Sequence, residues 1–294
     1  MIIRILFISL FCTSFLFAKS SAVFQKIEKE MDSIIVKDLS NDKLIFSKAQ
    51  NKSVRPASLT KIMTTILAIE SSKFHNIVTI TKDMINVEPT IAGFEVGDRV
   101  FLRDLVYAAL IKSANDAANA IAYYLGDGDK EKFIAMMNEK AKALGMNSTN
   151  FTNPSGFDIG KHYSTANDLL LLTEYAIKNQ TFNNIVKLNK YTINMVNSHK
   201  KIALYTSNRL QKKDKYVVGI KTGYTKKAGA CLIARAKKND KDILLVMLNS
   251  NNRWAIAKNA LEEATKNTPS STKSNFSQKI AHQGKESLLS KGKS

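Results

Sequence analysis

Apolar and polar positions follow two different periods along the chain, and together they predict a mixed fold. Residues 33–38 and 43–47 are strand-like apolar runs, and the turn-forming residues 39–42 between them predict a β-hairpin. Pro56 disfavours helix at the residue before it, so a helix is expected to begin near Ala57. Its apolar positions have the spacing of a buried stripe: Ile62, Ile66, Leu67 and Ile69.

Helical periodicity dominates the middle of the chain. Helices are expected over 23–31, 104–110, 117–125 and 130–144, and again after Ser164. Gly145 is a suitable C-cap for the 130–144 helix. A short strand is expected over 77–81, whereas the alternation between Tyr191 and Tyr205 is weak.

Strand-like runs of apolar residues appear again towards the end of the chain. The runs 216–225, 229–236 and 242–248 predict three adjacent antiparallel strands. Residues 252–266 predict a helix that packs over them. The predicted fold is therefore α/β of the α+β kind, with an antiparallel sheet flanked by helices and a separate all-helical part.

Both ends of the chain differ in composition from the part between them. Arg4 precedes an apolar run from Ile5 to Ala18 and small residues follow, which is typical of a cleavable secretory signal peptide over residues 1–22. That signal predicts export to the periplasm or cell envelope. Ser, Thr, Lys, Gly and Gln dominate after residue 266, so 267–294 is expected to be a basic, disordered tail. Residues 23–266 remain as one domain.

Charge and composition exclude several classes of function. The formal net charge of +19 could suit nucleic acid, but the predicted export and the absence of a nucleic-acid-binding motif argue against that partner. The carboxylates of cell-wall peptides and peripheral contact with anionic lipid headgroups fit an exported protein better. The four histidines show no pair at metal-ligand spacing, so neither a metal nor another cofactor is expected. Cys231 lies in an apolar, strand-like run and is expected to be a packed thiol.

Ser58 and Lys61 stand three residues apart where the first long helix begins, so they would share one helical face. A lysine that is desolvated and lies near another cation can lose its proton near neutral pH and act as a base. The alternative is that Ser58 caps the helix and Lys61 is a solvated first-turn residue. These two residues alone favour the alternative.

Two further polar groups interrupt apolar stretches. Ser113 and Asn115 separate two predicted helices, either as helix caps or as a loop that places a hydroxyl and an amide in a cleft. Lys221, Thr222 and Gly223 end a predicted strand, and Tyr224 follows them. The chain thus contains Ser-x-x-Lys, Ser-x-Asn and Lys-Thr-Gly, in that order.

This order of motifs resembles the low-molecular-mass penicillin-binding proteins of the D-alanyl-D-alanine carboxypeptidase group, which are related to class A β-lactamases. The resemblance extends from about residue 22 to 266 and includes Asn153-Pro-Ser-Gly-Phe, Tyr163-Ser-Thr-Ala-Asn-Asp and Ser207-Asn-Arg. It implies the β-lactamase/transpeptidase-like fold, with the active site in the cleft between the sheet and the helical part. Ala114 stands where the wider set has Asp, a difference that this group commonly shows.

The resemblance also implies a role for each motif residue. Ser58 would be the nucleophile and Lys61 its base, and a nearby Lys221 would help Lys61 lose its proton. Ser113 would relay a proton to the leaving amine, and Asn115 would orient Lys61 and the substrate. The substrate-binding residues would be Lys221, Thr222, Gly223 and Tyr224, with the backbone N–H groups of Ser58 and Tyr224 as the oxyanion hole.

The implied function is that of a serine-type D-Ala-D-Ala carboxypeptidase which acts on peptidoglycan stem peptides and binds penicillin covalently. A D,D-endopeptidase that cleaves D-alanyl cross-links is the alternative, and a non-catalytic wall-peptide binder is a third hypothesis. Class A β-lactamases use a glutamate to activate the deacylating water, whereas the corresponding stretch here offers only Asp158 and Asp168. The β-lactams are therefore expected to be inhibitors.

Overall fold

The computed structural model describes residues 21–266. The predicted tail and nearly all of the predicted signal peptide lie outside these residues. The strands are β1 Met31–Asp38, β2 Lys43–Lys48, β3 Ile77–Thr79, β4 Arg99–Phe101, β5 Lys190–Asn194, β6 Lys201–Tyr205, β7 Val217–Thr225, β8 Gly229–Lys238 and β9 Lys241–Ser250.

Ten α-helices occur in the described part of the chain. They are α1 Ala22–Ile27, α2 Lys61–Glu70, α3 Lys82–Ile85, α4 Leu102–Tyr107, α5 Asn115–Leu125, α6 Lys130–Ala143, α7 Ala166–Lys178, α8 Gln180–Ile185, α9 Arg209–Lys213 and α10 Arg253–Thr265. Two 3₁₀ turns, Glu28–Glu30 and Ala57–Thr60, and a π-helical turn, Ala108–Lys112, complete the helical structure. Within residues 21–266, no helix has both the length and the apolar character needed to cross a membrane.

The main sheet has five antiparallel strands in the order β2-β1-β9-β8-β7. The predicted hairpin is β1-β2 and the three predicted adjacent strands are β7, β8 and β9, so both predictions are confirmed. The two units join where β1 pairs with β9. This order leaves β7, the strand that carries Lys221 to Tyr224, at one edge of the sheet.

Both faces of the sheet are covered, which explains why its central strands are apolar on both sides. In β9 the residues Ile243, Leu245 and Met247 pack with α1 and α10 on one face. Leu244 and Val246 alternate with them and pack against the helical part on the other face. This strict period of two results from the pleat of the strand.

Helix α2 lies at the centre of the helical part, in contact with α4, α5 and α7. Its predicted apolar stripe is partly confirmed, because Ile62 and Ile66 are fully buried whereas Leu67 and Ile69 are only partly covered. Burial extends around almost the whole helix, including Lys61, Thr64 and Thr65. A polar side chain in this position must find its hydrogen-bond partners inside the protein.

Several elements differ from the sequence-based expectations. The helix expected over 23–31 ends at Ile27, because Met31 pairs with Ser250 at the start of the sheet. The weak alternation from Tyr191 to Tyr205 nevertheless forms the hairpin of β5 and β6. Helices α3, α8 and α9 were not predicted, since each is six residues or shorter and has little periodicity to recognise.

Candidate active site

The three motifs meet in a cleft between the helical part and strand β7. Ser58 comes from the 3₁₀ turn before α2, and Ser113 and Asn115 come from the junction between the π-helical turn and α5. A cavity of about 80 Å³ lies between them. It is lined by Ser58, Pro89, Thr90, Ser113, Asn115, Ser155, Gly156, Phe157, Tyr224 and Thr225.

Strand β7 passes very close to the turn that carries Ser58. A Cβ atom at Gly223 would lie 3.1 Å from Ala57 Cβ and 3.2 Å from both Pro56 O and Ser58 N. A larger residue at 223 would push the strand away from Ser58. Gly223 therefore brings the backbone of β7 next to the backbone N–H of the predicted nucleophile.

Lys61 is completely buried, with 0% of its surface exposed. Its Nζ lies 2.9 Å from Ser58 Oγ, and it donates to Asn115 Oδ1 and to Ser155 O at 2.7 Å each. A neutral amine has two N–H groups, which these two carbonyl oxygens accept, and one lone pair. That lone pair can accept the hydroxyl proton of Ser58, as a general base requires.

Burial lowers the pKa of Lys61 from 10.5 to about 7, because the apolar surroundings disfavour the charged amine; the carboxylate of Asp116 acts in the opposite direction. Burial also holds the pKa of Lys221 well below its usual range, and the charges of Lys61 and Arg253 add to this effect. Burial is therefore the main cause of the low pKa of Lys61, as expected for a desolvated lysine, whereas the expected help from the charge of Lys221 is not among its causes.

Ser113 and Lys221 form a direct contact between the second and third motifs. Ser113 has a left-handed backbone conformation with φ of 67°, and its Oγ accepts a hydrogen bond of 2.6 Å from Lys221 Nζ. Lys221 is 1% exposed and also donates to Thr222 O at 2.8 Å. These two bonds match the two N–H groups of a neutral amine.

Asn115 connects Lys61 to a neighbouring loop. Its Oδ1 accepts from Lys61, and its Nδ2 donates to Glu88 O at 2.9 Å. The amide thus has an assigned orientation, because only its oxygen can accept from the lysine. Asp116 also holds this loop, since its carboxylate accepts from the backbone N–H groups of Ala92 and Gly93 at 2.8–3.0 Å.

The capping alternatives do not describe these side chains. Neither the 3₁₀ turn at Ser58 nor α2 has a side-chain cap at its N-terminus. Helix α5 begins after Ala114, also without a side-chain cap. The hydroxyls of Ser58 and Ser113 instead contact lysine amines in the cleft.

The remaining predicted residues lie along β7. Thr222 is buried and its Oγ1 lies 2.6 Å from Ser207 Oγ. Tyr224 lines the cavity together with Ser58 and is 65% exposed. Arg253 at the start of α10 donates to Gly223 O at 2.6 Å and holds this part of the strand.

Ser155, Ser207, Asp116 and Arg253 were not among the predicted site residues. Ser155 lies in Asn153-Pro-Ser-Gly-Phe and Ser207 lies in Ser207-Asn-Arg. The resemblance includes both segments but implied no role for either serine. Ser155 acts through its backbone carbonyl, and no side-chain pattern reveals such a contact. Arg253 is far from the motifs in sequence and reaches them only because α10 packs on the sheet.

The two carboxylates of the 153–172 stretch, Asp158 and Asp168, do not line the cavity. Asp158 faces Arg55, with 3.9 Å between Oδ1 and Nε. Asp168 accepts from Ser148 N and Thr149 Oγ1 near the start of α7. None of the described residues that line the cavity is acidic.

Comparisons with known proteins agree with this geometry. A family model described as D-alanyl-D-alanine carboxypeptidase matches residues 19–252. The D-alanyl-D-alanine carboxypeptidase DacF of Bacillus subtilis is 30% identical over 230 residues, which are 76% of this chain and 59% of that protein. The D-alanyl-D-alanine endopeptidase of Escherichia coli is 30% identical over 245 residues, 79% of this chain and 76% of that one.

A solved structure shows the same architecture. The Streptomyces K15 DD-transpeptidase matches with a TM-score of 0.74 at 28% identity, and the match covers 78% of this chain and 94% of that one. The predicted fold class is thereby confirmed. The chain spans 59% of the length of the Bacillus relative, so that relative contains a large region with no counterpart in this match.

Proposed function

Because the chain belongs to the D-alanyl-D-alanine carboxypeptidase family, we propose that it is a serine D,D-carboxypeptidase that removes the terminal D-alanine from peptidoglycan stem peptides. One observation carries this proposal. Ser58 Oγ lies 2.9 Å from the amine of Lys61, whose pKa of about 7 makes it a base at neutral pH.

In the acylation step, Ser58 Oγ attacks the carbonyl carbon of the D-Ala-D-Ala bond while Lys61 Nζ takes the hydroxyl proton. The backbone N–H groups of Ser58 and Tyr224 stabilise the negative oxygen of the tetrahedral intermediate. Its collapse breaks the C–N bond, and Ser113 relays the proton from Lys61 to the leaving amine. Free D-alanine departs, and Lys61 is neutral again.

In the deacylation step, water attacks the ester carbonyl and gives a proton to Lys61. The proton then returns to Ser58 Oγ when the ester bond breaks, which releases the shortened peptide as an acid. The terminal carboxylate of the substrate is bound by Lys221 and Thr222, and Ser207 supports Thr222. A carboxylate beside Lys221 favours its charged form, so substrate binding would offset the effect of burial on the pKa of Lys221.

The rest of the substrate peptide needs more room than the 80 Å³ cavity provides. A groove of about 490 Å³ adjoins the cavity, and the two share Pro89, Ser155 and Phe157. We assign the stem peptide to this groove. Penicillin would react with the same serine as a substrate analogue.

Cleavage of D-alanyl cross-links is a second candidate function. It is favoured by the similarity to the E. coli endopeptidase, which is matched over 76% of its length. The bond and the chemistry are the same, but the leaving amine then belongs to a second stem peptide. We further propose that residues 1–22 direct the protein to the cell envelope, where both substrates occur.

The proposal is tested with labelled penicillin and with two purified muropeptides, a pentapeptide that ends in D-Ala-D-Ala and a cross-linked dimer. The wild type should become covalently labelled and should release free D-alanine, whereas Ser58→Ala should do neither. Ser72→Ala is the matched control, because Ser72 is exposed and follows the opposite end of α2.

The products separate the candidates. Free D-alanine from the pentapeptide identifies the carboxypeptidase, and conversion of the dimer into monomers identifies the endopeptidase. A protein that binds either muropeptide but is not labelled and releases nothing would be the non-catalytic binder, and the proposed function would be wrong.

A further inference from the structure

A buried chain of hydrogen bonds leads from His162 to the peptide bond in front of Ser58. Thr152 N–H donates to His162 Nδ1 at 3.0 Å, and His162 Nε2 lies 2.9 Å from Thr60 Oγ1. Thr60 Oγ1 donates to Ala57 O at 2.8 Å. Thr60 and Ala57 are completely buried and His162 is nearly so, and the ring of His162 does not reach the cleft.

The donors and acceptors give this chain one direction. A backbone N–H can only donate, so Nδ1 of His162 must carry a lone pair and the proton of the neutral ring lies on Nε2. Nε2–H then donates to Thr60 Oγ1, and the hydroxyl proton of Thr60 points at Ala57 O. Burial, with a smaller contribution from the charge of Arg55, lowers the pKa of His162 to about 4, so the ring is neutral around pH 7.

The carbonyl that receives this hydrogen bond belongs to the same planar unit as Ser58 N–H. In a trans peptide the C=O and the N–H point in opposite directions, and the plane is rigid. Any contact that fixes the direction of Ala57 O therefore also fixes the direction of Ser58 N–H.

The backbone at Ala57 needs such support. Its φ of 48° lies in the left-handed region, where the Cβ of a residue other than glycine crowds the backbone. Gly156 packs directly against this carbonyl, since a Cβ there would lie only 1.8 Å from Ala57 O and 2.9 Å from Thr60 Oγ1. The Ala57–Ser58 peptide is thus enclosed by Thr60 and by the loop that contains Ser155, the partner of Lys61.

We propose that Thr60 and His162 are positioning residues that direct the backbone N–H of Ser58 at the oxyanion of the tetrahedral intermediate. This inference rests on the proposed function, because it assumes that Ser58 is acylated. Neither residue touches the substrate; both act through the Ala57–Ser58 peptide. The proposal also gives a role to Thr60, the third residue of the Ser-x-x-Lys motif, which directly precedes the base Lys61.

Thr60→Val and Thr60→Ser form a matched pair for the test. Valine keeps the shape of threonine but removes the hydroxyl, whereas serine keeps the hydroxyl and removes only a methyl group. Loss of an entire oxyanion-hole donor costs about 100- to 1,000-fold in rate. A donor that is present but poorly directed should cost less, so we expect acylation by penicillin to slow about 10- to 100-fold in Thr60→Val and to stay close to the wild-type rate in Thr60→Ser.

Two readouts distinguish positioning from a general structural defect. The affinity of the initial non-covalent penicillin complex and the pH midpoint of acylation should not change in Thr60→Val, since Lys61 and the carboxylate site are untouched. The affinity for a D-alanine-like alkylboronic acid should fall by a similar 10- to 100-fold, because its tetrahedral adduct on Ser58 places an oxygen in the oxyanion hole.

A second pair tests the histidine and keeps the inference falsifiable if Thr60→Val does not fold. The amide of His162→Gln can still donate to Thr60, whereas the side chain of His162→Met cannot. Penicillin should therefore acylate His162→Gln faster than His162→Met. Equal acylation and boronate affinity in Thr60→Val and the wild type would overturn the inference, as would equal losses in the two Thr60 variants. A wild type that penicillin does not label would instead overturn the proposed function.

Discussion

The pH dependence of Ser58 acylation follows directly from the burial of Lys61. Acylation needs the neutral amine, and the pKa of Lys61 is about 7. At pH 7 about half of the molecules then have a competent base, whereas a lysine with the ordinary pKa of 10.5 would be neutral in only about one molecule in 3,000. Burial therefore increases the competent population at neutral pH by about three orders of magnitude.

The expected profile rises with pH and then levels off. Below pH 7 the rate constant should fall about tenfold per pH unit, to about a hundredth of its plateau at pH 5, because protonation removes the lone pair that accepts the Ser58 proton. Above pH 8 it should be nearly constant. The assay is stopped-flow or quenched labelling with a penicillin at saturating concentration between pH 5 and 9, with the drug's own hydrolysis measured in parallel.

Two variants sharpen this test. Lys61→Arg keeps a long cationic side chain but cannot lose its proton, so it should not be acylated at any pH in this range. Lys221→Ala should lower the plateau, because Ser113 and the carboxylate site lose a partner, while the midpoint stays near 7. A rate that does not change between pH 5 and 7, or a midpoint above 9, would refute the role of burial; a midpoint that moves by more than one unit in Lys221→Ala would restore Lys221 as the cause.

Three other predictions concern the cleft and its surroundings. The amine released from the β-lactam ring stays attached to the acyl group, where it obstructs water, and no acidic side chain of the described residues lines the cavity; penicillin should therefore stay on Ser58, and the hydrolysed product should not exceed one equivalent per protein molecule in a spectrophotometric assay. Gly223→Ala should slow acylation at least about tenfold, since its methyl group meets Ala57 Cβ and Ser58 N at 3.1–3.2 Å; an unchanged rate would mean that the strand can move freely. Burial raises the pKa of the Cys231 thiol to about 11, so a thiol reagent at pH 8 should label the unfolded protein but not the native one.

The stability of the fold should also depend on Lys61. Its pKa is lower in the folded than in the unfolded protein, so between pH 7 and about 10 the unfolded chain binds more protons and the free energy of unfolding rises with pH, by up to about 1.4 kcal/mol per unit. Lys61→Met should lose this contribution. Urea unfolding of both proteins at pH 7, 8 and 9 measures the two slopes, and identical slopes would contradict the low pKa.

Local patterns in the sequence determined much of this protein. The apolar runs of β1, β2 and β7 to β9 predict strands, because such side chains pack well on a pleated surface, and the short turns within β1-β2 and β7-β8-β9 leave few ways to pair them. The three motifs also identify their residues without a structure, because each consists of neighbours a few positions apart. The structure brings all three together: Ser58 with Lys61, Lys61 with Asn115, and Ser113 with Lys221.

Tertiary structure alone decided the electrostatics of the site and the partners that act through the backbone. Lys61 is fully buried because packing covers α2 on almost every side, whereas the apolar stripe in the sequence indicated only one buried face; the help expected from Lys221 is not among the causes of the low pKa. The carbonyls of Ser155 and Ala57 belong to residues whose side chains give no indication of these contacts. The contact of Lys61 with Ser155 O joins residues 94 positions apart, and it exists only once the loop that contains Ser155 has packed against the start of α2.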